Sequence, residues 1–258
     1  MIWQRLPARF CPASLRNGDV VYLRSILFNV VMWLSVLIYA PLSLLTFPLA
    51  PLVRYRFIVQ WARFHIWLLR HLCRLDFRVE GEENLPPGPA IVLSKHQSSW
   101  ETLAYQLIFP PFVWVLKREL LWIPLFGWAL ALMRPIAIER GAGRQAVEQV
   151  IKQGTDRLKA GLWVMVFPEG TRMPPHTHRK YKTGGARLAS ASRYPVVPVA
   201  HNAGSFWSRR SFIKRPGRIR MVIGPVIESD GRSAEEINKL VETWIEKKMQ
   251  ELEDTRSK

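Results

Sequence analysis

The sequence predicts an α/β fold, a mostly parallel or mixed central sheet flanked by helices, preceded by an N-terminal helical membrane-association motif. Two observations predict the sheet. From about Asp76 onward, short apolar runs are separated by turn residues, and segments of helical spacing fall between several of them. That alternation implies strands covered by helices. A third observation predicts the motif: between Arg24 and Arg54 the chain carries no charge.

The uncharged run exceeds the roughly 20 residues that cross a bilayer once, but Pro41, Pro48 and Pro51 interrupt it. Arg5, Arg9, Arg16 and Arg24 precede it, and Arg54, Arg56, Arg63, Arg70 and Arg74 follow. Arginine on both sides puts both ends at the cytoplasmic face of an inner (plasma) membrane, which favours a re-entrant hairpin or an interfacial helix pair over one straight span. A cleaved signal peptide is not expected, because no small-residue cleavage site follows the apolar stretch. In the next segment Arg56, Arg63, Arg70 and Arg74 share one helical face, with Phe57, Trp61, Phe64, Leu68, Leu72 and Leu75 roughly opposite. This basic amphipathic helix suits an anionic lipid surface better than an ordinary surface packing. Residues 1–75 are thus read as one membrane-associated motif, an apolar hairpin over 25–53 and the basic helix over 54–75. Residues 76–258 are read as one further domain.

Within that domain the expected strands are "FRVEG" (77–81), "AIVLS" (90–94), "FVWVL" (112–116), "PIAIE" (135–139), "LWVMVF" (162–167), "PVVPVA" (195–200) and "IRMVIG" (219–224). Residues 98–108, 144–159 and 184–192 have helical spacing between them. The tail from Ser233 opens with a capping box, Ser233 with Glu236, and puts Ile237, Leu240, Val241, Trp244 and Ile245 on one side. It is expected to pack as a terminal helix that carries no chemistry. In such a sheet, ligands bind near the carboxyl ends of strands.

Composition narrows the partners. Of 258 residues, 37 are Lys or Arg against 20 acids, a net charge of +17, so the partner should be anionic: nucleic acid, a phospholipid surface or a phosphorylated substrate. Cys11 and Cys73 are too few for a disulfide framework and lack metal-ligand spacing, which fits a reducing location.

Three stretches could carry chemistry. In "SKHQSSWETL" (94–103), Ser98 and Glu101 fit a capping box at a helix start. His96 and Glu101 can also pair if His96 lies in the strand-to-helix turn and Glu101 reaches back, with Lys95 and the helix N-terminus favouring an anionic substrate. In "VMVFPEGTR" (164–172) an apolar strand enters a tight turn that exposes Glu169 and Arg172, either towards a ligand or as a surface ion pair. In "LKRELLWIPLFGWALALMRPIAIERG", Lys117, Arg118 and Arg140 stand beside Trp122, Phe126 and Trp128. That is suited to a charged head with a greasy chain, or to a core helix with solvated ends.

Taken in order, "HQSSWE", "KREL" with "PLFGW" and "IER", "FPEGTR" and "YPVVPVA" resemble the four blocks of the glycerolipid acyltransferase family, nearest to the 1-acyl-sn-glycerol-3-phosphate acyltransferases. The resemblance runs from about residue 77 to 227. Two positions depart from the family pattern: Glu101 and Glu139 stand where Asp is usual, each adding a methylene to the reach of the carboxylate. The resemblance implies an O-acyltransferase that moves an acyl group from acyl-CoA or acyl-ACP to the hydroxyl of a lysophospholipid acceptor at a membrane phospholipid surface. Acyl-CoA or acyl-ACP is a co-substrate, and no cofactor, metal or nucleic acid is implied. His96 would take the proton of the acceptor hydroxyl and Glu101 would orient the imidazole, without an acyl-enzyme. Arg172 and Lys117 would hold the acceptor phosphate and Glu169 would position the glycerol or the arginine. Thr171, Gly170, Arg118 and Arg140 complete the expected substrate-binding set.

Other readings make distinct demands. Gly141, Gly143 and Ala146, with Glu169 downstream, outline a dinucleotide fingerprint, but Glu139 and Arg140 stand between the strand and the glycines. A non-enzymatic basic membrane binder accounts for the charge and not for the four blocks. Lipid A acyltransferases also use a His and Glu at this spacing, but "KREL" and "FPEGTR" point to the glycerolipid branch. His176 and His178 alternate without a third ligand, so a mobile basic loop is expected there rather than a metal site.

Overall fold

The structure is a computed structural model that describes residues 17–139 and 141–254. Arg140, Cys11 and the early arginines Arg5, Arg9 and Arg16 lie outside the described residues. Seven strands form one sheet: β1 (Leu75–Glu80), β2 (Ile91–Ser94), β3 (Phe112–Lys117), β4 (Ile136–Ile138), β5 (Trp163–Val166), β6 (Val196–His201) and β7 (Gly217–Ile223), in the order β1-β7-β6-β2-β5-β3-β4. Neighbours run parallel except β6 with β7. Five strands therefore point one way, and β1 with β7 point the other. Strands β2, β5 and β6 are buried throughout, which is why they read in the sequence as unbroken apolar runs rather than as alternation.

Helices cover both faces. The chain supplies α1 (Asn17–Leu44), α2 (Pro51–His71), α3 (Trp100–Ile108), the short α4 (Phe126–Ala131), α5 (Arg144–Lys159), α6 (Gly184–Ser192) and α7 (Ala234–Asp254). One apolar cluster joins Ile66 and Leu69 of α2 and Trp100 and Tyr105 of α3 to the sheet. The other joins Val150 of α5, Leu188 of α6 and Ile237, Val241 and Ile245 of α7 to its opposite face. A Cβ on Gly154 would stand 2.6 Å from Leu188 Cδ2, so glycine lets α5 and α6 approach closely. The capping box of α7 forms as expected, with Ser233 N–H donating to Glu236 Oε2 over 2.8 Å. Leu240, expected on the packed side of that helix, is exposed.

The N-terminal motif departs from the expected hairpin over 25–53. A single helix runs through Pro41 to Leu44, about 42 Å at 1.5 Å per residue. Pro41 falls in its last turn, where one lost backbone bond is tolerated. The reversal comes at residues 45–50, and Pro51 opens α2 at a first helical position that needs no N–H donor. Helix α2 stops at His71, and Leu75 already belongs to β1.

The polarity of α1 is inverted. Ser25, Phe28, Ala40 and Ser43 form its buried stripe, while Trp33, Leu34, Leu37 and Ile38 are exposed. Ser35 Oγ accepts from Trp61 Nε1 at 3.0 Å and Tyr39 OH donates to Phe57 O at 2.7 Å. Hydroxyls thus face protein and large apolar side chains face outward. By length and composition α1 is the one helix among the described residues able to cross a membrane.

Lys214 ties α1 to the domain. Its backbone N–H donates to Ser25 Oγ at 3.0 Å. Its Nζ donates to Asn29 Oδ1 at 2.6 Å and Phe212 O at 2.9 Å, and lies 4.7 Å from the Trp207 ring centre. Burial pushes its pKa down to about 8, against a smaller upward pull from Cys73. The folded pKa lies below the unfolded value of about 10.4. The cost of the buried cation is therefore carried in full below about pH 8 and relieved as pH rises from 8 towards 10.4. Burial also holds the Cys73 thiol up at about 11, which works in the opposite sense above about pH 9. The expected result is therefore comparative: wild type should gain stability relative to Lys214→Met between pH 7 and 10, as read from unfolding curves. Equal slopes in the two proteins would refute this.

Candidate active site

Strand register brings the two main motifs together. Leu93 of β2 pairs with Val166 of β5. Three residues beyond each lie His96 and Glu169, and the His96 N–H donates to Glu169 Oε2 at 2.8 Å. The loops are laced a second time by Met173 N–H donating to His96 O at 2.7 Å. The site therefore stands at the carboxyl ends of adjacent parallel strands.

His96 sits in the turn before α3, and Glu101 reaches back from the first turn. His96 Nδ1 lies 2.8 Å from Glu101 Oε1. The same oxygen accepts from Gln97 N–H at 2.9 Å and Ser98 N–H at 2.7 Å. Ser98 Oγ in turn accepts from Trp100 N–H at 3.1 Å. Only half of the expected capping box forms: Ser98 N–H donates to Glu101, while Ser98 Oγ takes Trp100 N–H and the helix caps at Ser99. That half also holds the carboxylate for the imidazole. Glu101 is fully buried. Burial pushes its carboxyl up, but the imidazoles of His201 and His96 and the Ser98 N–H outweigh this and leave it below the ordinary value. The His96 ring stacks on Phe167 with centroids 3.8 Å apart. With Nδ1–H given to a carboxylate, the imidazole carries its lone pair at Nε2.

Glu169 and Lys95 take roles other than those expected. Glu169 is fully buried. Its Oε1 lies 2.8 Å from Lys95 Nζ, so it supports the turn that carries His96. Lys95, 1% exposed, also pairs with Glu246 Oε1 of α7 at 2.9 Å, and Tyr181 OH donates to that oxygen at 2.7 Å. Burial alone would lower the Lys95 pKa, but its two carboxylate partners hold it above the ordinary value. A lysine so enclosed is not available to a substrate anion. The terminal helix packs as expected and in addition braces the framework of the site through Glu246. It also straps down the loop after Arg172, expected to be mobile: His176 Nδ1 lies 3.0 Å from Glu253 Oε2, and His178 Nε2 lies 2.7 Å from Glu242 Oε1. Below the turn, His201 is buried with Nε2 3.0 Å from Lys95 O, and its Nδ1 accepts from Ala203 N–H. That pattern is the neutral tautomer with hydrogen on Nε2.

His96 and Arg172 line one cavity of about 520 Å³. Its walls come from α1, α2, β3 and α4, including Tyr39, Ala40, Trp61, Trp114, Leu116 and Leu130. Such a wall suits an apolar ligand with few polar anchors. Lys117 and Arg118, the expected partners of Arg172, are exposed and absent from this lining, and Lys117 Nζ pairs with the neighbouring Glu119 at 2.9 Å. Gly170 has φ of +70°, and a Cβ there would stand 3.1 Å from Lys182 Cε. Its requirement is thus the left-handed turn. Thr171 is half-buried beside Arg172. The dinucleotide reading loses its acid, because Glu169 is committed to Lys95 and His96. Among the described residues no cluster of three His, Cys, Asp or Glu could hold a metal ion.

The support residues Lys95, Glu246, Tyr181 and His201 had no local signal as a set. Lys95 and Glu246 are 151 residues apart, and the only sequence hint was two acids, Glu242 and Glu246, recurring one turn apart on α7.

Comparison with known proteins agrees with this geometry. The acyltransferase family profile matches residues 76–202. The chain is 44% identical over 240 residues to the 1-acyl-sn-glycerol-3-phosphate acyltransferase of Pseudomonas aeruginosa, covering 91% of this chain and 93% of that one. It is 34% identical over 158 residues to the Saccharomyces cerevisiae protein of the same name, covering 58% of this chain and 52% of that one. In fold it is similar to the crystal structure of the 1-acyl-sn-glycerophosphate acyltransferase of Thermotoga maritima. The TM-score is 0.74 at 23% identity, over 89% of this chain and 95% of that one. The profile falls on the segment holding His96, Glu101 and the turn to Arg172, and a 44% identical relative is matched over nearly its whole length, so this chain belongs to the acyltransferase family.

Proposed function

We propose that the enzyme transfers an acyl group from acyl-CoA or acyl-ACP to the free hydroxyl of 1-acyl-sn-glycerol 3-phosphate, giving phosphatidic acid. The observation that carries this reading is His96, bonded through Nδ1 to buried Glu101, on the wall of a 520 Å³ apolar cavity. The names of the relatives support the choice of acceptor.

In this mechanism His96 Nε2 takes the proton of the acceptor hydroxyl as its oxygen attacks the thioester carbonyl. Glu101 stabilises the imidazolium that results. The new carbon–oxygen bond forms, the carbon–sulfur bond breaks, and the proton passes from His96 to the departing thiolate. No acyl-enzyme is needed, since the acceptor is itself the nucleophile. The acyl chain occupies the cavity between α1 and α4, burying about 0.8 kcal/mol per methylene. Substrates of that kind reside in a bilayer. The outward Trp33, Leu34, Leu37 and Ile38 of α1, with exposed Trp128 on α4 and Trp122 just before it, suit a membrane surface facing the cytoplasm, and the exposed Arg56, Arg63 and Arg70 suit its anionic headgroups.

The test is an assay of membranes bearing the wild-type chain against a panel of lysolipids, with acyl-CoA and acyl-ACP as donors. Acylation of 1-acyl-sn-glycerol 3-phosphate above all other acceptors is expected. Transfer only to another lysolipid, or to a lipid A precursor, would overturn the acceptor assignment, and no transfer to any would sink the reading. Ala40 lines the cavity and is buried, so Ala40→Phe is expected to shift donor preference towards shorter chains. An unchanged chain-length profile would place the acyl chain elsewhere.

A further inference from the structure

We propose that Arg209 joins Arg172 in a two-guanidinium clamp for the phosphomonoester of one of the two substrates. The inference rests on the acyl-transfer reading and adds a residue outside the motifs that led to it.

Arg209 lies beyond β6 and is exposed, outside the cavity lining itself. Its Nη1 donates to Arg172 O at 3.2 Å, which sets it at the rim beside the turn that carries Arg172. Both residues are cationic and neither forms an ion pair, although Glu101 acts on Arg172 from a greater distance. None of the ion pairs among the described residues includes Arg172 or Arg209. Arg172 Nε is buried without a hydrogen-bond partner. Burial first, and then Arg209, disfavour the Arg172 charge, while Glu101 favours it. Lys95, a few residues from the same turn, shows the opposite treatment, with a carboxylate on either side.

Two guanidiniums drawn together without a carboxylate are repulsive until an anion arrives. The forked N–H donors of two arginines match the oxygens of a phosphomonoester. Because Arg172 lines the cavity that His96 also lines, the molecule so held must present its reacting atom to His96. Two phosphates fit that description, the 3-phosphate of the glycerolipid acceptor and the ribose phosphate of coenzyme A. Lys117, the motif partner expected for Arg172, is engaged instead by Glu119.

The experiment compares wild type, Arg209→Ala, Arg209→Lys and the exposed neighbour variant Arg210→Ala in the full chain, varying acceptor and donor separately. In Arg209→Ala the KM for one phosphorylated substrate should rise about 10-fold or more, with kcat within about 2-fold. A rise for the lysolipid, with discrimination against 1-acylglycerol falling by the same factor, assigns the clamp to the acceptor. A rise for acyl-CoA alone assigns it to the donor. Arg209→Lys should recover part of the loss, and Arg210→Ala, with Arg209 intact, should keep the wild-type KM. Unchanged KM for both substrates in Arg209→Ala would overturn the proposal. If the wild type transfers no acyl group, the functional reading falls. The clamp is then judged by calorimetric binding of glycerol 3-phosphate and of coenzyme A, one of which Arg209→Ala should abolish; absence of both in wild type would also refute it.

Discussion

His96→Ala is expected to lower kcat by about 10²- to 10⁴-fold, the usual worth of a positioned general base, with little change in melting temperature. The small thermal effect follows because the imidazole is partly exposed and its main bond is to one oxygen, Glu101 Oε1, that keeps two backbone donors, Gln97 and Ser98. Glu101→Gln probes the same unit from the other side. A glutamine carbonyl can still accept from Gln97, Ser98 and His96 Nδ1, so the helix start survives, but it carries no charge to stabilise an imidazolium. A loss comparable to that of His96→Ala is expected. The double variant should be no worse than His96→Ala alone, since both residues act in one step. Steady-state kinetics on the three proteins, with circular dichroism to check the fold, decide this. Additive losses would mean that Glu101 acts elsewhere, and an active His96→Ala would remove the proposed base.

Lys95→Met should unfold the protein at markedly lower temperature, with a loss on the order of 3–5 kcal/mol. The substitution keeps the length of the side chain but removes the cation that lies 2.8 Å from Glu169 and 2.9 Å from Glu246. Glu169 and Glu246 then lose their shared cation, and Glu169, fully buried and already pushed up to about 7 by burial with Lys95 in place, is driven towards its protonated form at a cost in stability. The companion Lys95→Met with Glu246→Gln removes one of those charges and should recover part of the stability. Activity should fall more than stability explains, because Glu169 holds the backbone N–H of His96 and would relax with its partner gone. Chemical denaturation and kcat measured well below the transition separate the two effects. A melting curve like the wild type would show that the buried network contributes nothing.

The strands were legible because β2, β5 and β6 are buried on both faces, and burial of that kind writes itself as a continuous apolar run. The pairing of His96 with Glu101 was legible because they are five residues apart and a strand-to-helix turn lets the glutamate reach back. Pro41 misled the reading of the N-terminal segment, since a proline's effect depends on how far the helix continues past it, and here α1 ends three residues later.

By itself, the sequence determined the α/β alternation, the order of the motifs and the presence of a basic, apolar N-terminus, all properties of residues close along the chain. Tertiary structure alone decided the direction in which Glu169 points, which cation stands beside Arg172, and that α7 braces the active site. Those outcomes rest on the register of Leu93 with Val166 and on pairs such as Lys95 with Glu246. A charge finds its partner by distance in space, and folding brings together positions whose spacing in the sequence carries no trace of it.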